Sequence, residues 1–95
     1  MELKPGRFYN VILSCQGVGS KSRAKDVKIT ELDNEEKEKF KFDNITPTHR
    51  LIFYDCSCGG IKELIGYVEE NDTHIIFSIS PEKKFIIKEL NGSLA

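Results

Sequence analysis

Apolar and polar residues alternate along most of this chain with a period of two, the signature of strands with one buried face. Between Arg7 and Cys15, Tyr9, Val11, Leu13 and Cys15 share one face and Asn10 and Ser14 the other, while Phe8 and Ile12 give the second face partial cover. Asp26–Leu32 sets Val27 and Ile29 inward and Lys28 and Thr30 outward. Lys39–Asp43 repeats the period with Phe40 and Phe42 on one face. Arg50–Cys56 is apolar without alternation in its middle and rich in β-forming types, which predicts a central strand covered on both faces.

Ile61–Glu70 carries two signals. Ile61, Leu64, Ile65 and Val68 fall at helical spacing, yet Gly66 interrupts them and Glu70-Asn71-Asp72-Thr73 makes a turn into His74–Ile79. The hairpin is the favoured reading. Ser80-Pro81-Glu82-Lys83 forms a further turn, and Phe85-Ile86-Ile87 opens a last strand, the seventh candidate. Asp33-Asn34-Glu35-Glu36 resembles a capping box, but no apolar stripe follows to dock a helix, so a polar connection or one exposed turn is expected there. The expected fold is all-β: one domain over residues 1–95, an antiparallel β-barrel or two-sheet sandwich of about six to seven strands, with residues 91–95 as a frayed tail.

Composition narrows the functional classes. A chain of 95 residues has room for one small core. Its longest apolar runs, such as Leu51-Ile52-Phe53-Tyr54, fall far short of the roughly 20 residues of a membrane helix. Met1-Glu2-Leu3-Lys4-Pro5 does not read as a signal peptide, and three cysteines do not form an even disulfide framework, so a cytoplasmic protein with reduced thiols and no membrane partner is expected. The net charge of −1 conceals an asymmetry: residues 1–30 hold six basic and two acidic side chains, and residues 31–95 hold eight basic and thirteen acidic. A local field of this kind can select a partner where net charge cannot.

The stretch Ser14–Lys25 looks at first like a phosphate loop, but reading back from Lys21-Ser22 the Walker glycines are replaced by Ser20 and Cys15, and a strand pattern follows rather than a helix. What remains is a basic Gly/Ser-rich loop. Its Gly17 and Gly19 amides are candidate hydrogen-bond donors, and Lys21, Arg23 and Lys25 are candidate phosphate partners. Arg7 and Phe8 extend this ligand-binding set, Phe8 because it lies opposite Tyr9, Val11 and Leu13 in a position suited to stacking. The structural alternative is a solvated connection that happens to be basic.

Cys15, Cys56 and Cys58 with His49 or His74 have the residue types of a zinc site but not its paired spacing, so no metal or other cofactor is expected. Neither a Cys–His pair nor the acidic groups Glu35-Glu36-Glu38 and Glu69-Glu70-Asp72 have the surroundings of catalytic residues, so no enzyme is expected. Asp55, Ser57 and Gly60 fit Asp-x-Ser-x-x-Gly, which is similar to half of the cyclic-di-GMP motif of PilZ domains, a family that is also built on small β-barrels. The other half, Arg-x-x-x-Arg, is missing; Lys21 and Lys25 hold its spacing without planar guanidinium forks. Six residues do not assign a family.

The leading expectation is therefore a non-enzymatic binding module for an anionic ligand, a nucleic acid or nucleotide. The alternative is a small inhibitor or adaptor that engages a larger protein with a basic surface, through Glu31, Asp33, Glu35, Glu36 and Glu38 with Glu69, Glu70 and Asp72, or through a strand edge. An exposed edge also allows a homodimer.

Overall fold

Strand β1 (Phe8–Cys15) turns back into β2 (Val18–Glu31), a connection containing the short helix α1 (Asn34–Lys39) leads to β3 (His49–Asp55), and β4 (Gly60–Glu70), β5 (Ile75–Ser80) and β6 (Lys83–Glu89) follow as successive hairpins. Each strand pairs antiparallel with the next, and β6 pairs with β1, so the sheet closes as a six-strand barrel. The structure, a computed structural model, describes residues 3–15, 18–70 and 73–90. The expected tail at 91–95, and Asn71 and Asp72 of the expected turn, lie outside the described residues. Closure satisfies the edge backbone groups that a short open sheet would leave to water or to a partner.

The alternation of β1 is realised as written: Tyr9 and Val11 are buried and Phe8, Asn10 and Ser14 face out. Their inward partners are Ala24 on β2, Leu51 and Phe53 on β3, Ile75 and Phe77 on β5 and Ile87 on β6. Each large apolar side chain buried this way contributes about 1.5–3 kcal/mol. Gly66 on β4 marks a close approach of two backbones. A Cβ there would lie inside contact distance of the Ser78 carbonyl oxygen and 2.9 Å from Phe77 Cε1. The Gly66 backbone pairs with His49 on β3, whereas the next residue, Tyr67, pairs with Ser78 on β5. The strand thus changes partner where it has no side chain.

Three local expectations are corrected. Strand β2 begins at Val18, so the segment expected as a loop is the second arm of a hairpin, held by the register Leu13↔Ser20, Val11↔Ser22 and Tyr9↔Ala24. Its irregularity comes later, at a bulge between Lys25 and Lys28 where Asp26 takes a positive φ of 54°. The strand expected at Lys39–Asp43 is absent. Instead Asp33 accepts a hydrogen bond from the Glu36 amide at 2.8 Å and caps α1, with Glu35 and Glu36 in its first turn and Lys37 and Lys39 in its last. Phe42 then bridges to Ile45 across Asp43 and Asn44, both at positive φ. Local capping and end charges outweighed two alternating aromatics. Finally, β3 is not covered on both faces: Leu51, Phe53 and Asp55 point in, and Tyr54 is 40% exposed.

Candidate anion-binding face

Pairing of β1 with both β2 and β6 turns three separate stretches of sequence into one outer surface. Ser14 lies between Gly19 and Lys84, Ile12 between Lys21 and Ile86, and Asn10 between Arg23 and Lys88. Phe8 pairs with Lys25, and Lys25 with Tyr54 on the next strand, which in turn pairs with Ile61. Adjacent strands lie about 4.8 Å apart and alternate residues on a strand about 6.8 Å apart. Lys21, Arg23 and Lys25 therefore form one row of cations, and Lys84 and Lys88 a second row two strands away. The outward positions of β1, of β6 and of β2 from Gly19 to Lys25 carry no carboxylate.

Ion pairing divides these cations into two groups. Arg7, just before β1, reaches Glu89 at 3.8 Å, and Lys84 reaches Glu69 at 3.8 Å. Among the described residues Lys21, Arg23, Lys25 and Lys88 form no ion pair. The Lys25 ammonium sits 5.7 Å from the centroid of the Phe8 ring, within cation–π range. Phe8 is half-buried, so this ring is partly occupied, whereas Tyr54, on the far side of Lys25, offers more open surface. Gly19 lies in the β1–β2 ladder opposite Ser14, and Gly17 lies outside the described residues.

The structure thus brings Phe8, Gly19, Lys21, Arg23 and Lys25 together on one face, with Arg7 at its margin. It adds Lys84, Lys88 and Tyr54, which the sequence argument did not assign to the site. Their signal was present, since Lys84, Ile86 and Lys88 alternate against Phe85 and Ile87. What the pattern lacked was the closure of β6 onto β1.

The Asp55-x-Ser57-x-x-Gly60 motif forms the β3–β4 turn. The Ser57 amide donates to Asp55 Oδ1 at 2.9 Å, and the Gly59 amide donates to the Asp55 carbonyl at 2.8 Å with Gly59 at φ 73°. The Asp55 side chain points into the barrel, is 1% exposed, and receives Lys62 Nζ on Oδ2 at 3.1 Å. Burial alone would raise its pKa, but the bonds from Lys62, the Ser57 amide and Cys58 prevail and hold it at about 2. Lys62 is raised in return, chiefly by its bond to Asp55.

The remaining groups are dispersed. Cys15, Cys56 and Cys58 are free thiols, and no cluster of three or more metal-ligating side chains occurs among the described residues. His49 opens β3, at the opposite end of that strand from Cys56 and Cys58. Arg50 joins Glu36 of α1 to Glu63 of β4, the latter at 2.7 Å, so Glu36 is engaged in tying the connection to the barrel. No helix among the described residues is long and apolar enough to cross a membrane.

Compared with protein-family models, with curated proteins and with solved structures, the chain matches none.

Proposed function

We propose that this protein is a non-enzymatic binding module that holds single-stranded nucleic acid against the outer face of β6, β1 and β2. The observation that supports this reading is the cross-strand register, which gathers Lys21, Arg23, Lys25 and Lys88 around β1 with no outward carboxylate among them. Two rows of cations track a phosphate backbone without reading sequence. Tyr54, Phe8 and Ile61 at one end of the face supply the ring and apolar contact on which bases stack, worth about 1–3 kcal/mol per base. A free nucleotide would use only part of this surface, so a polymer is the better fit.

The protein-binding alternative draws on a different observation. Phe42 is 80% exposed, and with Phe40, Pro47, Tyr67 and Pro81 it borders an apolar groove of about 470 Å³ beside α1. A partner seated there would contact none of the cations of β2.

The test begins with native purification at low salt. The chain has no tryptophan and three tyrosines, so bound nucleic acid would dominate absorption near 260 nm. Titration of the cleared protein into a fluorescently labelled oligothymidylate should then raise its anisotropy in a salt-sensitive way. An unchanged anisotropy at low salt, up to high micromolar protein, would remove this reading and leave the groove as the surface to pursue.

A further inference from the structure

The barrel interior is not filled at its hairpin end. Val11, Leu13, Phe53, Leu64 and Phe85 enclose a cavity of about 250 Å³, and this apolar floor opens to a polar mouth. The cavity exceeds by about 100 Å³ an engineered 150 Å³ apolar cavity that takes up benzene. It therefore suits one ring with a short substituent. It is below the roughly 300–1,000 Å³ of sites for larger ligands, so a nucleotide does not fit, and this site is separate from the outer face.

The mouth specifies what the substituent must be. Ser20 and Ser22 line the cavity from β2, Asp55 from β3, Lys62 from β4 and Lys83 from β6. Ser20, Lys62 and Lys83 are exposed and form its mouth, whereas Asp55 is buried and Ser22 pairs with Val11 deeper in the barrel. Asp55 is already satisfied, one oxygen by Lys62 and the other by the Ser57 amide, so this pair contributes no net charge. Lys83 occupies an inward register position opposite Cys15 and forms no ion pair among the described residues. The mouth therefore carries one unbalanced positive charge beside the Ser20 hydroxyl, above an apolar floor. A charge at the rim of an apolar cavity attracts an anion more strongly than one in open water, because the walls lower the local dielectric.

We propose that the hairpin end of the barrel is a binding site for a small aryl carboxylate, its ring among Leu13, Phe53 and Phe85 and its carboxylate between the Lys83 ammonium and the hydroxyl of Ser20. The site depends on two terms at once. The ring accounts for the volume, and the charge accounts for the orientation.

Phenylacetate is the probe, followed by ¹H–¹³C spectra of the methyl and aromatic groups of the intact protein. Saturable shifts are expected at Val11, Leu13, Leu64, Phe53 and Phe85, with phenylacetamide binding at least tenfold more weakly. Lys83 is exposed at the first position of β6, so Lys83→Glu should leave the melting temperature unchanged and weaken phenylacetate at least tenfold. Ser22→Met, which fills the cavity from another strand, should also abolish the shifts. Three results would overturn the site: no saturation by phenylacetate at millimolar concentration, equal binding of phenylacetamide, or shifts confined to outward residues such as Ile12 and Ile86.

Discussion

Lys62 sits across the β3–β4 ladder from Phe53, yet its ammonium turns up the barrel to meet the Asp55 carboxylate at 3.1 Å. Both side chains come from inward positions of one hairpin. The carboxylate is nearly inaccessible, whereas the lysine side chain keeps about half of its surface in water, 51%. A buried carboxylate is tolerated because a half-hydrated cation is brought to it, which lowers the desolvation cost of the pair.

That relationship makes part of the stability acid-sensitive. Asp55 has a folded pKa of about 2 against an ordinary 3.8, so between these values the unfolded chain binds more protons than the folded one. The contribution is complete above about pH 4 and disappears as the pH falls toward 2. The shift corresponds to about 2 kcal/mol. Asp55→Asn should therefore be less stable than the parent by about that amount at pH 6 and equal to it near pH 2. Urea unfolding at several pH values would measure the convergence. A difference that does not change with pH would show that Asp55 acts through its turn geometry alone.

Gly66 sits where β4 leaves β3 and takes up β5, against the carbonyl of Ser78. The obstruction is backbone, which cannot rotate away as a flexible side chain can. Gly66→Ala should cost about 2 kcal/mol or more, at the upper part of the range for overpacking. Gly60, which has no atom within 4 Å of a Cβ, is the control and should tolerate alanine far better. Chemical denaturation of the two variants side by side separates lost space from lost glycine flexibility.

Ser78 is completely buried, and its hydroxyl has no hydrogen-bond partner in the structure. Leaving such a group unmet costs about 1–3 kcal/mol. Ser78→Ala removes the hydroxyl and keeps the Cβ, so it should stabilise the barrel by about 1 kcal/mol. A raised melting temperature is the expected result. A lowered one would reveal a bound water that satisfies the hydroxyl in solution.

The barrel was legible because period-two alternation is set by local chemistry: the Tyr9-Val11-Leu13 and Val27-Ile29 faces read directly from the chain. The capping box at Asp33 was legible, but the strand expected at Lys39–Asp43 was misjudged because Phe40 and Phe42 mimic a strand face, while the chain there is set by α1, whose cap is a hydrogen bond from the Glu36 amide to Asp33. The cations of β2 were visible for the same local reason as the core. Lys84 and Lys88 were not placed with them, because their membership depends on which strands become neighbours, and no local pattern states that β6 closes on β1. The inner cavity was hidden for a related reason. Asp55 read as part of a turn motif, and only the register of five strands shows that Ser20, Ser22, Lys62 and Lys83 line the same cavity.

Charge variants separate the two functional readings. Lys21, Arg23 and Lys25 lie at outward positions whose removal exposes no core, so the triple alanine variant should keep its melting temperature. If the outer face binds single-stranded nucleic acid through about five cations, the logarithm of affinity should fall with the logarithm of salt at a slope near −3.5, and the triple variant should lower that slope by about 2. Lys88→Ala should lower it by less than one further unit. The acidic side needs more careful choice, because Asp33 caps α1 and Glu36 is bound to Arg50, so reversing either would disturb the fold. Glu31 and Glu38 are exposed and serve the comparison. Changing these two to lysine should leave oligonucleotide binding intact or strengthen it. Loss of binding in that variant, with the β2 variant unaffected, would move the functional surface from the cations of β2 to the acids around α1.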